Sequence, residues 1–315
     1  MNTIGNEVSG ARIIPISKGM QDYGRHWTQM VAPDAEQLIQ LAQHYQLSED
    51  FFLDVLDPNE RSSLHHEGDL SFLILRAPLV SQQSDGRESY ETVPLGVLLL
   101  STELVTITWQ ELPVVDQVLQ HLQKQTGDPR LRWLIAEIFQ SLAQHFLRVL
   151  KQINRDIRAI EMELRESQSN EDFFRMLTLQ KALTLFSSAL RGNITTAQKV
   201  LQLPQMQIDE ADAEEIADAI VDLQQAREMT DLYGSTITNL MDAYIGVLQN
   251  NISNTLKIVT GWTVIIAIPM TVATIYGMNV PLPMQTWHYA TPVLLGSAFL
   301  LAGLAFAFFH RNDWI

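Results

Sequence analysis

Residues 275–283 read "IYGMNVPLP", and Gly277, Met278 and Asn279 close an uncharged run there. Between residues 258 and 309 the chain holds no Asp, Glu, Lys or Arg. Asn279 therefore offers an amide carbonyl where no carboxylate is near. A small, hard divalent cation gives up its water reluctantly, so a ring of neutral amide oxygens can recognise the hydrated ion through those waters. Carboxylates in the same place would hold the ion harder and slow its departure. The three residues also read as a helix C-cap and turn, where Gly and Asn are frequent.

Just upstream, Thr260, Thr263, Ala267, Thr271 and Thr274 follow one another at intervals of 3, 4, 4 and 3, which lines them up on one helical stripe. Leu256 extends the stripe below, Gly277 and Met278 extend it above, and Met270 lies near the same face. Small and hydroxyl side chains on one face of a membrane helix serve helix–helix packing. Alternatively they line a water-accessible pathway built by several copies around an axis. Either way the stripe meets protein rather than lipid. Residues 209–222, "DEADAEEIADAIVD", carry seven acids and no base. They form either a solvated face or, with two copies opposed, a divalent-cation site. "HHEGD", residues 65–69, is a weak transition-metal candidate, because it lacks the spacing of a strong site. No P-loop, Gly-x-Ser-x-Gly elbow or His-Glu-x-x-His helix is present, so no enzyme is expected.

These residues need elements to hold them. A helix of ~20 apolar residues crosses a bilayer, and the uncharged region holds two such stretches separated by a Pro-rich loop. The remaining charge is acidic, 36 Asp and Glu against 21 Lys and Arg, for a net charge of −15. That balance argues against nucleic acid as a partner and is compatible with attracting cations. With no cysteine, disulfides and thiolate sites are excluded. No basic run followed by an apolar core opens the chain, so no cleaved signal peptide is expected. Lys257 precedes the first span and Arg311 follows the second, while the intervening loop has no Lys or Arg. The positive-inside rule then places both termini in the cytoplasm.

The expected layout is a cytoplasmic α/β layer over residues 1–128 and long helices over 129–257. A first membrane helix over 258–279 then ends in Gly-Met-Asn, and an outer loop over 280–289 follows. A second membrane helix over 290–309 leads to a short tail over 310–315. Strands are expected over 11–17, 25–32, 69–80, 90–100 and 103–110, with a helix from Asp34. The fold class is thus an α+β cytoplasmic domain, an α/β layer followed by long helices, joined to two C-terminal transmembrane helices. From Asp209 to Tyr276 the only proline is Pro269, which at 1.5 Å per residue allows ~100 Å of helix. Such a helix needs partner helices along its cytoplasmic half.

With these parts placed, the chain resembles the CorA family of divalent-cation channels and transporters, two-span proteins sharing a Gly-x-Asn signature. "YGMN" at 276–279 carries the resemblance, together with the acidic domain before it, the long helix, the short outer loop and the brief tail. "LDPNERSSLHHEGDLSFLILR", residues 56–76, is similar to the family segment leading into a central strand. The resemblance implies a funnel-shaped homopentamer whose first spans line one pore. Gly277, Met278 and Asn279 would form its selectivity ring, and Mg2+ would be both transported and regulatory ion. Leu256, Thr260, Thr263, Ala267, Met270, Thr271 and Thr274 would line or gate the conduit. Asp69 and Asp218 match acidic sites between copies that close the pore when cytoplasmic Mg2+ binds. Lys257 and Arg311 would give a sparse basic collar at the inner end.

The departures are an outer loop without acids, a tail with few bases, and Asn154 and Arg155 where a second acidic pair is expected, leaving Asp156 nearby. The expected function is Mg2+ uptake across the inner membrane, with no nucleotide, cofactor or nucleic-acid partner. The rivals are Zn2+, Co2+ or Ni2+ transport on the same fold, for which His65, His66 and His288 leave zinc open, and a pore-less membrane-anchored scaffold or sensor.

Overall fold

The computed structural model describes residues 20–22, 27–45, 48, 52–82, 88–100, 103–124, 131–166, 170–283, 286–312 and 314; the strand expected over 11–17 lies outside them. The chain divides into two compact units, one ending at Asn239 and the other beginning at Leu240.

In the first unit the apolar, β-branched runs form six strands among the described residues: β1 (Met20–Asp22), β2 (Trp27–Val31), β3 (Ser63–Glu67), β4 (Leu70–Gln82), β5 (Glu88–Leu99) and β6 (Leu104–Thr108). They make one sheet in the order β1-β2-β6-β5-β4-β3. All neighbours are antiparallel except β2 and β6, which run parallel. Alternation along β4 sends Phe72 and Ile74 to one face, where they meet Leu38, Leu41 and Ala42 of helix α1 (Ala35–Tyr45) together with Phe52 and Val55. Leu73 and Leu75, one residue out of phase, are equally buried, so both faces of the central strands are covered. Such double burial explains why β4 reads as a continuous apolar run rather than an alternating one.

The start of α1 follows its sequence signal. The Asp34 carboxylate accepts the Gln37 N–H at 2.8 Å, and the Gln37 side-chain oxygen accepts the Asp34 N–H at 3.0 Å, a reciprocal capping box. A helix also stands where the sequence reading places only a change of pattern. Helix α2 (Pro113–Lys124) starts on proline, whose fixed φ suits the first helical turn, and buries Val114, Val115, Val118 and Leu122. Helices α3 (Leu131–Glu166) and α4 (Asn170–Gln202) form an antiparallel pair that packs on β4. Phe146 and Phe186 meet edge to face at 5.4 Å between them.

A side chain extends the sheet beyond the end of β3. β3 stops at Ser63, opposite Ile74, which leaves the backbone of Arg76 without a strand partner on that side. Asn193 of α4 fills the place: its Oδ1 accepts the Arg76 N–H at 2.9 Å and its Nδ2 donates to the Arg76 carbonyl at 2.8 Å. On the other side Arg76 faces Pro94. Because both backbone groups of Arg76 point toward Asn193, the absent N–H of proline costs no ladder bond there.

His145 of α3 is 6% exposed and its Nδ1 has no partner. Burial, reinforced by Arg148, lowers its pKa from 6.5 to about 4 against the opposing pull of a hydrogen bond to the Pro78 backbone. Its ring is neutral in the folded chain above that value but protonates near 6.5 once unfolded. Between the two, the unfolded chain binds more protons, so stability falls as the pH is lowered through this window. The loss reaches about 3 kcal/mol. Denaturant titrations of the solubilised protein at pH 7 and pH 4.5 should show a smaller acid-induced loss for His145→Gln than for wild type; equal losses would contradict the assignment.

The second unit is a helical hairpin. Helix α5 (Glu210–Tyr276) enters it from the first unit and helix α6 (Ala290–Arg311) returns. Both contain segments long and apolar enough to cross a membrane, and only 6% and 11% of those segments are buried within the chain. Core helices of soluble proteins would be mostly covered.

Candidate functional site

The site is built on α5. Asp209 starts the helix, its carboxylate accepting the Asp212 N–H at 2.9 Å. The helix then runs through Pro269 without interruption and stops at Tyr276, so Gly277, Met278 and Asn279 lie just beyond its last turn rather than within it. The Gly277 N–H donates to the carbonyls of Ala273 at 3.0 Å and Thr274 at 3.2 Å, and the Met278 N–H to Ile275 at 3.2 Å. Gly277 is not left-handed, since Gly68 has the only positive φ among the described glycines. A Cβ at Gly277 would stand 3.3 Å from the Ala273 carbonyl oxygen, the acceptor of its own N–H one turn back, so the backbone continues the helical path through this residue.

This geometry supplies negative potential without an acid. The last carbonyls of a helix carry roughly half a negative elementary charge, and Gly-Met-Asn sits on that end. Met278 is 53% exposed. The Asn279 side chain is exposed and makes no hydrogen bond within the described chain, leaving its amide free. The Tyr276 hydroxyl donates to the Pro283 carbonyl at 2.9 Å and ties the following loop back to the helix end, a constraint the sequence did not signal.

Below this end, α5 has two distinct sides. Gly261 is buried and Ile265, Ile268, Val272 and Tyr276 are partly buried; they form the side covered by α6. There α6 presents Ala290, Ala298 and Ala302, all buried, and such small residues let membrane helices approach closely. Thr260, Thr263, Ala267, Met270, Thr271 and Thr274 are all exposed, on the side of the helix roughly opposite at 100° per residue. The hydroxyls of Thr263, Thr271 and Thr274 donate back to the carbonyls of Val259, Ala267 and Met270 at 2.7, 2.7 and 2.8 Å. With the hydrogens engaged, the outward oxygens are acceptors, the polarity suited to a cation or to the water around it.

The exposed stripe is longer than the threonines indicated. Ile245, Leu248, Ile252, Leu256, Val259, Thr263, Ala267, Met270 and Thr274 recur at intervals of three and four, and the large apolar members are 40–67% exposed. A seam of this period is the pattern by which helices of several copies pack together.

Lys257 lies five residues before Trp262 and Arg311 five after Phe306, and those two rings are 6.2 Å apart. The antiparallel hairpin therefore puts Lys257 and Arg311 at one level, both exposed, at the end away from Gly277. In the first unit Asp69 occupies the tip of the β3–β4 hairpin. Glu67 pairs with Leu70 across a two-residue turn, and Gly68 adopts φ +60, a conformation natural to glycine. Asp218 is on the outer face of α5, between the buried Ile216 and Ala219. Neither carboxylate has an ion pair or hydrogen bond within the described chain.

Four further acids are buried or already engaged. Asp209 caps the helix, Asp212 is 1% exposed and Asp222 accepts from Gln140 at 3.1 Å. Asp156 receives the Tyr90 hydroxyl at 2.6 Å. Among the described residues no three His, Cys, Asp or Glu side chains gather as a metal site. His65 and His66, adjacent on β3, point to opposite faces, and His66 pairs with the Ser71 hydroxyl at 2.9 Å.

Comparison with known proteins adds the following. A family profile described as "CorA-like Mg2+ transporter protein" matches residues 24–311. The chain is 24% identical to the cobalt/magnesium transport protein CorA of Methanocaldococcus jannaschii, over 94% of this chain and 93% of that one. It is 22% identical to the cobalt/magnesium transport protein CorA of Thermotoga maritima, over 83% and 75%. Among solved structures, the complete CorA magnesium transporter from Methanocaldococcus jannaschii superposes with a TM-score of 0.77 at 22% identity, covering 92% of this chain and 91% of that one. The full-length CmaX protein gives 0.66 at 18% identity, covering 90% and 88%.

Proposed function

The chain belongs to the CorA-like Mg2+ transporter family, and from that premise we propose that it is a homopentameric channel for Mg2+ entry across the inner membrane. The observation that carries this reading is the end of α5. An uncharged amide and a helix C-terminus stand above a polar stripe that faces away from the chain's own second span. Several copies around one axis would turn that stripe inward and repeat Gly277, Met278 and Asn279 as a ring. The exposed seam from Ile245 to Thr274 favours the same assembly, since a single chain leaves it bare.

In this reading the hydrated ion meets the Asn279 amides and the terminal carbonyls, then descends past Thr274, Thr271, Ala267, Thr263 and Thr260, with Met270 and Leu256 as apolar constrictions. Lys257 and Arg311 lie at the cytoplasmic level, as the positive-inside rule requires. A membrane potential supplies ~4.6 kcal/mol per 100 mV for a divalent ion, so inward flow needs no nucleotide. Asp69 and Asp218, unpartnered in one chain, would hold Mg2+ between copies and close the conduit when the internal concentration is high. The named activities of both relatives cited above support Co2+ as a second cargo. Nothing in the placement of His65, His66 or His288 favours zinc.

Purified protein in liposomes loaded with a Mg2+ indicator tests the proposal. Mg2+ entry should rise with an inside-negative potential, and the detergent-solubilised particle should have the mass of five chains. Silence toward both Mg2+ and Co2+, or a monomeric particle, would refute it and leave the membrane-anchored scaffold.

A further inference from the structure

A cavity of about 870 Å3 opens between α4, the loop before β3 and the strands β4 and β5. Its volume is within the ~300–1,000 Å3 of small-molecule sites. Three guanidiniums line it, those of Arg61, Arg76 and Arg191, against the single acid Glu60, in a chain whose net charge is −15.

Arg76 is 8% exposed. Its Nη1 donates to the carbonyls of Pro58 at 2.6 Å and Glu60 at 3.1 Å. Its Nη2 donates to the Thr92 carbonyl at 2.5 Å and the Thr92 hydroxyl at 2.7 Å, and its Nε reaches the same hydroxyl at 3.3 Å. Every acceptor is neutral. The hydrogen-bonding capacity of the group is met by neutral oxygens and no carboxylate touches it, whereas buried charges are ordinarily paired directly. Burial lowers the Arg76 pKa, while Asp57 and Glu60 pull it the other way as neighbouring charges rather than hydrogen-bond partners.

At the mouth, the guanidiniums of Arg61 and Arg191 are exposed and have no described partner. The Ser188 hydroxyl, also lining the cavity, is equally unengaged. We propose that this cavity binds a small phosphate-bearing polyanion, clasped by Arg61 and Arg191 above the buried charge of Arg76. Guanidinium forks match phosphate oxygens two at a time, and a compact anion can approach the floor. The acidic helix of a neighbouring copy is the other source of negative charge, but a helix about 10 Å across cannot follow the cavity down to a buried side chain. The inference concerns the first unit alone and stands apart from the transport reading.

The test is calorimetric titration of the full-length solubilised protein with ATP and, separately, inorganic pyrophosphate, both in EDTA. Saturable binding that weakens with added salt is expected, and the Arg61→Ala, Arg191→Ala double variant should weaken it about tenfold or more. Lys257→Ala should leave it unchanged. Equal affinity for the two anions would mean that phosphate alone is read, and tighter ATP binding that the nucleoside contributes; both support the site. Absent binding, or binding unaffected by the double variant, would overturn it. So would a variant that changes only the size of the particle, which would make the cavity a contact between copies.

Discussion

Asn279→Ala is expected to lower Mg2+ entry about 100-fold or more while leaving the protein folded, because a pentamer loses five hydrogen-bonding amides at once, each contributing about 0.5–1.5 kcal/mol. The folding half of this expectation comes from the structure. Asn279 is exposed and its side chain bonds to nothing within the described chain, so its truncation removes no internal partner. The flux half comes from the chemistry of the helix end. Without the amides, the ion still meets the terminal carbonyls of α5, but those of Ala273, Thr274 and Ile275 already accept the N–H groups of Gly277 and Met278. Asn279→Asp separates two explanations for a loss. It keeps the shape and adds charge, so it should bind divalent ions more tightly yet pass them more slowly. If Asn279→Ala conducts as wild type does, the proposed selectivity ring is wrong, whatever the family membership.

Much of this arrangement was legible in the sequence because its signals are local. The charge-free run over 258–309 needs no tertiary information, and it corresponds to the apolar parts of α5 and α6. The same holds for Asp34 and Asp209, which cap the helices they precede. The threonine stripe followed from spacing alone, and the structure places it opposite the side that α6 covers. What was not legible depends on distant partners. Asn193 reads as an ordinary polar residue of a helix, yet it completes the hydrogen bonds of a strand 117 residues away. Arg76 reads as a charge interrupting a strand, yet it is buried against Thr92 and two loop carbonyls. Helix α2 was missed because its Val-Val start is ambiguous between strand and helix; Pro113 at its first position was the available signal. The Gly-Met-Asn turn lies between these cases. Its place after a membrane helix was evident, but whether the backbone there turns left-handed or continues the helical path, as it does, is not encoded in the residue types.

The second large effect concerns closure. Asp69 and Asp218 are held very differently, one on a two-residue hairpin tip and the other on a helix face, yet each exposes a carboxylate without a partner. Two such carboxylates brought together by neighbouring copies repel each other, and a divalent ion between them removes the repulsion. Binding across the interface favours whichever arrangement of copies keeps the two acids close. In the proposed channel that arrangement is the closed one, so internal Mg2+ shuts its own path. Asp69→Ala combined with Asp218→Ala should therefore leave the initial rate of Mg2+ entry intact and raise the internal concentration needed for half-closure. With five interfaces losing their site together, the shift should be about tenfold or more, since a pair of carboxylates contributes at least ~1.4 kcal/mol to divalent binding. Liposomes preloaded with graded Mg2+ read the effect directly, as entry rate against internal concentration. An unchanged curve would remove these acids from regulation, and a lowered rate at zero internal Mg2+ would mean that they stabilise the open state instead.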